Sequence, residues 1–109
     1  FIYEEYPKIE GQIRYDIELR DSEDEGDMPF KGNLEEVARM VNAHCALGPT
    51  LVHCQMGINR SNLVAGLALI LRGMPPDAAI KLLRDKRSEL VLLNKTFEKF
   101  LLSYTKEPP

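Results

Sequence analysis

Tryptophan is absent from this chain of 109 residues, and cysteine occurs only twice. Two cysteines are too few to staple a small secreted domain, so a disulfide scaffold is excluded and a reduced, cytoplasmic setting is the default. No apolar run approaches the roughly 18 residues of a membrane-spanning helix. The opening residues, Phe1-Ile2-Tyr3-Glu4-Glu5, have neither the basic start nor the apolar stretch of a secretory signal peptide. An initiator Met is missing too, which leads us to expect a trimmed piece of a longer chain. Positive charge is in deficit: 14 Lys and Arg against 17 Asp and Glu leave a net charge of −3. That disfavours a nucleic-acid partner, though a local positive pocket stays open. Repeats and low-complexity tracts are lacking. What remains is 44% hydrophobic, enough for one domain with one core spanning residues 1–109.

Apolar residues alternate along 13–19, with Ile13, Tyr15, Ile17 and Leu19 on one side, the pattern of a half-buried strand. A shorter strand is expected at 2–4. Residues 21–27 form an acidic run that reads as a solvated loop. Asn33 followed by Glu36 reads as a capping box opening a helix, with Leu34, Val37, Ala38, Val41 and Cys45 on its inner stripe. Residues 50–53 are a short apolar run, best read as a buried strand. A helix follows Arg60 and ends near Gly73. Another starts at Pro75-Pro76-Asp77, with Ala79, Ile80 and Leu83 inward and Lys81, Arg84 and Lys86 outward. Asn94 caps a last helix whose apolar face is Phe97, Phe100, Leu101 and Tyr104. Strand, helix, strand in that order implies a right-handed parallel crossover, hence an α/β fold.

The chemistry lies in residues 52–61, Val-His-Cys-Gln-Met-Gly-Ile-Asn-Arg-Ser. Such a junction between a strand and a helix is where α/β sheets bind ligands. Gly57 lets successive backbone N–H groups turn inward, and with the helix N-terminus they form a cradle for an oxyanion from Gln55, Met56, Gly57, Ile58, Asn59 and Arg60. Arg60 offers a planar fork that fits two phosphate oxygens. The same positive surroundings favour the thiolate of Cys54, which can attack a bound phosphorus. Ser61 can donate to the sulfur and ease its departure. His53 reads as structural, bonding backbone to hold the loop. A leaving oxygen needs a proton, and Asp21 is the favoured general acid, with Asp24 and Asp27 as rivals in the same loop.

The stretch His53-Cys54-x-x-Gly57-x-x-Arg60-Ser61 resembles the signature of the cysteine-dependent protein tyrosine phosphatase superfamily. The wider pattern is similar to its dual-specificity branch. Ile17-x-Leu19-x-Asp21 looks like that family's strand and acid. The interval from Asp21 to Cys54, 54 − 21 = 33 residues, is close to its usual spacing. Arg87 and Asn94-x-x-Phe97 resemble the run into its last helix. The resemblance implies a small central, mostly parallel sheet flanked by helices, short of the family's usual N-terminal part. It implies a phosphatase that forms a phosphocysteine and needs no cofactor and no metal. Its substrates would be proteins phosphorylated on tyrosine, with serine and threonine as the wider range. Cys54, Arg60, Asp21 and Ser61 carry over as nucleophile, clamp, acid and leaving-group helper. Asn59, often Ser in the dual-specificity branch, is similar to the RNA 5′-triphosphatase branch. The loop interior lacks Lys and Arg, which disfavours inositol lipids.

Other readings compete. A phosphate-binding module with little turnover would use the same loop, but needs neither Cys54 nor Asp21. Two His-Cys pairs, at 44–45 and 53–54, suggest zinc, yet neighbours on a strand point to opposite faces and do not converge. Cys45 reads as core, with a reversible disulfide to Cys54 as the lesser alternative. Lys81, Arg84, Lys86 and Arg87 read as a solvated face, or as a second site steering phosphorylated substrates.

Overall fold

A computed structural model describes residues 17, 19–54 and 57–104. Four α-helices carry the fold: α1 (Lys31–Leu47), α2 (Arg60–Leu71), α3 (Pro76–Lys86) and α4 (Lys95–Leu102), preceded by a 3-10 turn at Glu25–Asp27. Helix α2 is central and packs against the other three; α3 also touches α4. The reason is in its sequence. From Leu63 to Leu71 it carries no polar side chain, and a helix apolar on all sides must be covered on all sides. Eight of its 12 residues are buried, including its two polar first-turn residues, Ser61 and Asn62.

Gly66 sets the closest approach within this core. A Cβ there would stand 2.8 Å from Leu101 Cδ1, so any side chain at this position would make Leu101 shift. Phe97, Leu63, Leu67, Leu92, Leu101 and Val91 are the largest side chains fully enclosed. Asn42 on α1 donates to the Ala68 carbonyl at 3.0 Å. Beyond α4, the Tyr104 hydroxyl donates to the Glu35 carboxylate, and the Lys31 ammonium lies 4.8 Å from the Tyr104 ring centroid. These contacts close α1 over the core.

Among the described residues there is no strand, so the expected α/β fold with a central parallel sheet is corrected: they form an all-helical assembly. Residues 50–53 are irregular chain, and Leu51 is 81% exposed rather than buried. A strand exists only through the partner that satisfies its backbone groups. Among the described residues no backbone ladder joins 50–53 to another segment, and a short apolar run by itself does not decide between strand and other structure. Of the alternating run at 13–19 only Ile17 and Leu19 are described, and neither is in a strand. The rest of that run, and 2–4, lie outside the described residues.

Three local expectations also change. Helix α1 starts at Lys31, before Asn33, because the N–H groups of Asn33 and Leu34 already donate to the Phe30 carbonyl at 3.0 and 3.2 Å. Cys45, at the end of its stripe, is exposed and not core. Arg84 is not outward. It donates to the carbonyls of Val91 (2.9 Å) and Leu92 (3.4 Å) and pairs with Glu98 at 2.5 Å. The α3–α4 connection is thereby pinned to α3. Asn94 does cap α4, its Oδ1 accepting from the Phe97 N–H at 3.1 Å. Phe97 fills the space between α4 and α2, so Phe97→Ala should cost about 3–5 kcal/mol of stability. Urea unfolding measures it; a loss within about 0.5 kcal/mol would mean that this core does not carry the fold.

Candidate active site

Cys54 follows the irregular chain of 50–53 and is 8% exposed. Its sulfur lies 3.3 Å from the Ser61 hydroxyl oxygen, and the Ser61 N–H donates to it at 3.4 Å. A thiol gives its proton to that hydroxyl; a thiolate receives one from it. Burial, the largest influence, pushes the Cys54 thiol up. The Ser61 hydroxyl, the backbone N–H groups of Ser61 and Gly57, and the Arg60 charge together outweigh it. The net result is a thiol held below its ordinary value. Ser61 can do this because it sits in the first turn of α2, where backbone N–H groups have no helical acceptor.

The loop from Cys54 to Arg60 bends at Gly57, whose φ of +70° is the left-handed region that suits glycine. Its outer side is held by donors from elsewhere. Asn62, fully buried, donates through Nδ2 to the carbonyls of Gly57 (2.9 Å) and Ile58 (3.1 Å). The Leu92 N–H donates to the same Ile58 carbonyl at 2.9 Å. To aim that N–H, Leu92 takes a φ of +60°, a strained conformation for a residue with a side chain. Asn59 accepts the Asn94 N–H on Oδ1 at 2.9 Å and donates to Asp21 Oδ2 at 3.0 Å.

The structure thus brings Cys54, Gly57, Ile58, Asn59, Arg60, Ser61 and Asp21 into one connected region. His53 is exposed beside Cys54. Gln55 and Met56 lie outside the described residues. Of the rival acids, Asp24 caps the 3-10 turn by accepting from Gly26 N–H at 2.9 Å, and Asp27 faces Arg20 at 3.7 Å. The acidic run is exposed along most of its length, and it is anchored as well: Thr96 donates to the Glu23 carbonyl at 2.5 Å, and Lys99 lies 3.5 Å from Glu25. Nor do the cations of α3 act as one face. Lys81 pairs with Asp85 at 2.6 Å and Arg84 with Glu98. Arg87 instead rests against Gly57, its Nη2 3.5 Å from where a Cβ would stand. Cys45 and Cys54 are both free thiols. Among the described residues no group of three or more His, Cys, Asp or Glu could hold a metal ion. None of their helices is long and apolar enough to cross a membrane.

Asn62 and Leu92 were not singled out by the sequence. Asn62 left a faint signal, a polar amide directly before the apolar run of its helix; Leu92 left none. No family model matches the chain, and comparison with curated proteins and with solved structures gives no match either.

Two outcomes follow from the geometry. Alkylation of Cys54 should rise with pH and level off below the ordinary thiol value, after subtraction of the Cys54→Ser background. Ser61→Ala removes a donor to the thiolate and should move that inflection upward; an unmoved inflection would show that Ser61 does not hold the sulfur. Asn62→Leu should cost about 1–3 kcal/mol in denaturant unfolding, because two loop carbonyls lose their donor. Asn62→Asp should cost more at neutral pH and less in acid, where its carboxyl can donate again.

Proposed function

We propose that this chain is a cysteine-dependent phosphatase of the dual-specificity type, acting on proteins phosphorylated on tyrosine and, more widely, on serine or threonine. The observation that carries the reading is the Cys54 sulfur, bonded by the hydroxyl and N–H of Ser61 at the start of α2 and held below its ordinary pKa. A buried thiol with no chemical duty is expected to shift the other way. The signature residues around it, Gly57, Arg60 and Ser61, support the same reading. So does the pair of free thiols, which fits a reducing, cytoplasmic setting.

In this mechanism the Cys54 thiolate attacks phosphorus and a P–S bond forms as the bond to the leaving oxygen breaks. The loop N–H groups and the Arg60 guanidinium balance the phosphoryl oxygens. Asp21 gives the leaving oxygen its proton. Water then attacks phosphorus as the Asp21 carboxylate takes its proton, the P–S bond breaks, and Ser61 donates to the departing thiolate. Inorganic phosphate is released and the thiolate restored.

Hydrolysis of p-nitrophenyl phosphate near pH 6 in EDTA tests this. Turnover should survive EDTA and vanish in Cys54→Ser, while that variant still binds inorganic phosphate. Turnover by Cys54→Ser at the parent rate removes the thiolate mechanism. Phosphate binding without any turnover in the parent chain favours a phosphate-binding module instead. Phosphopeptides set beside 5′-triphosphorylated RNA separate the protein substrate from the alternative that Asn59 brings to mind.

A further inference from the structure

The acidic loop and the phosphate loop are far apart in sequence yet joined by one carboxylate. Asp21 Oδ2 accepts from Asn59 Nδ2 at 3.0 Å, and Asp21 Oδ1 accepts from Asn94 Nδ2 at 2.9 Å. Asn94 Nδ2 also donates to the Ser22 carbonyl at 2.9 Å, and Asn94 N–H donates to Asn59 Oδ1 at 2.9 Å. The three residues close a ring in which each bonds both others, Asn94 through its side-chain amide to Asp21 and through its backbone N–H to Asn59. It joins the loop beside Arg60, the loop holding Asp21 and the cap of α4. Asn94 is 4% exposed, so its amide is fixed by packing as well.

We propose that Asn59 and Asn94 are positioning residues that act through Asp21, clipping the acidic loop to the phosphate loop. Each carboxylate oxygen has two lone pairs, and the clip takes one on each. Asp21 is held in place while keeping an acceptor site for a proton. Neither rival acid has such a tie, since Asp24 serves the 3-10 turn and Asp27 faces Arg20. Asn59 is then chosen for its two-ended amide: a serine at that position has one short arm and does not reach both Asp21 and the Asn94 backbone.

The kinetic half of this inference rests on the phosphatase reading; the structural half does not. For the structural half, urea unfolding is measured on Cys54→Ser carrying Asp21→Ala, Asn59→Ala and both. The two changes should couple by at least about threefold in the unfolding constant. Additive effects overturn the clip. Asn94→Ser repeats the cycle with the helix cap retained, so a collapsed fold does not mask the answer. For the kinetic half, Asn59→Ala should lower kcat for phenyl phosphate at least about tenfold and for p-nitrophenyl phosphate far less, because only the poor leaving group needs its proton. Added to Asp21→Ala, it should cost little more. Equal loss on both esters, or full additivity with Asp21→Ala, overturns action through Asp21. Coupling in stability without turnover in the parent chain keeps the clip and brings down the phosphatase reading.

Discussion

Helix α2 has to be covered on every side, and that requirement organises everything around it. Its run from Leu63 to Leu71 finds no tolerable contact with water, so α1, α3 and α4 are drawn over it. Only its first turn is polar, and Ser61 and Asn62 are buried there as well. A buried polar group needs partners, and the partners available are the sulfur of Cys54 and the carbonyls of the preceding loop. The placement of the site is in this sense a by-product of burying an apolar helix up to its very end.

The loop before α2 turns the carbonyls of Gly57 and Ile58 toward donors from α2 and from the α3–α4 connection. Those carbonyls cannot be abandoned where the protein is dense. Asn62 and Leu92 serve them, and Leu92 accepts backbone strain to do so. Arg84 holds the Val91 and Leu92 carbonyls while pairing with Glu98, so the strained segment is itself fixed from behind. The segment between α3 and α4 therefore backs the loop before α2 as well as connecting two helices.

Much of this was legible in the sequence where the signal is local. Helices α2 and α3, and the Asn94 cap of α4, follow from apolar spacing, a leading proline and a capping side chain. The meeting of Cys54 and Ser61 was legible because both belong to one short loop and the helix start that follows it. The strand expected at 50–53 failed because an apolar run says nothing of whether another strand lies alongside. Asn33 failed as a cap because backbone bonding to Phe30 had already begun the helix. The acidic loop is exposed along most of its length, as its charge predicts; its anchors, side chains of Asn94 and Thr96 that bond its backbone carbonyls, leave no trace in charge. The ring of Asp21, Asn59 and Asn94 joins three places that no spacing rule connects.

Leu101 and Asn94 sit at opposite ends of one short helix, 101 − 94 = 7 residues apart. Seven residues are about two turns, roughly 10 Å along the axis, and return to nearly the same face. Helix α4 is therefore a gauge rod. Its foot is seated by Leu101 against Gly66, and its tip delivers the Asn94 amide to Asp21 and its N–H to Asn59. Its length is part of its function: one residue more or fewer between foot and tip would turn Asn94 by about 100° and carry it about 1.5 Å along the axis. An exposed position such as Lys95 can thus vary in kind far more freely than the helix can vary in length.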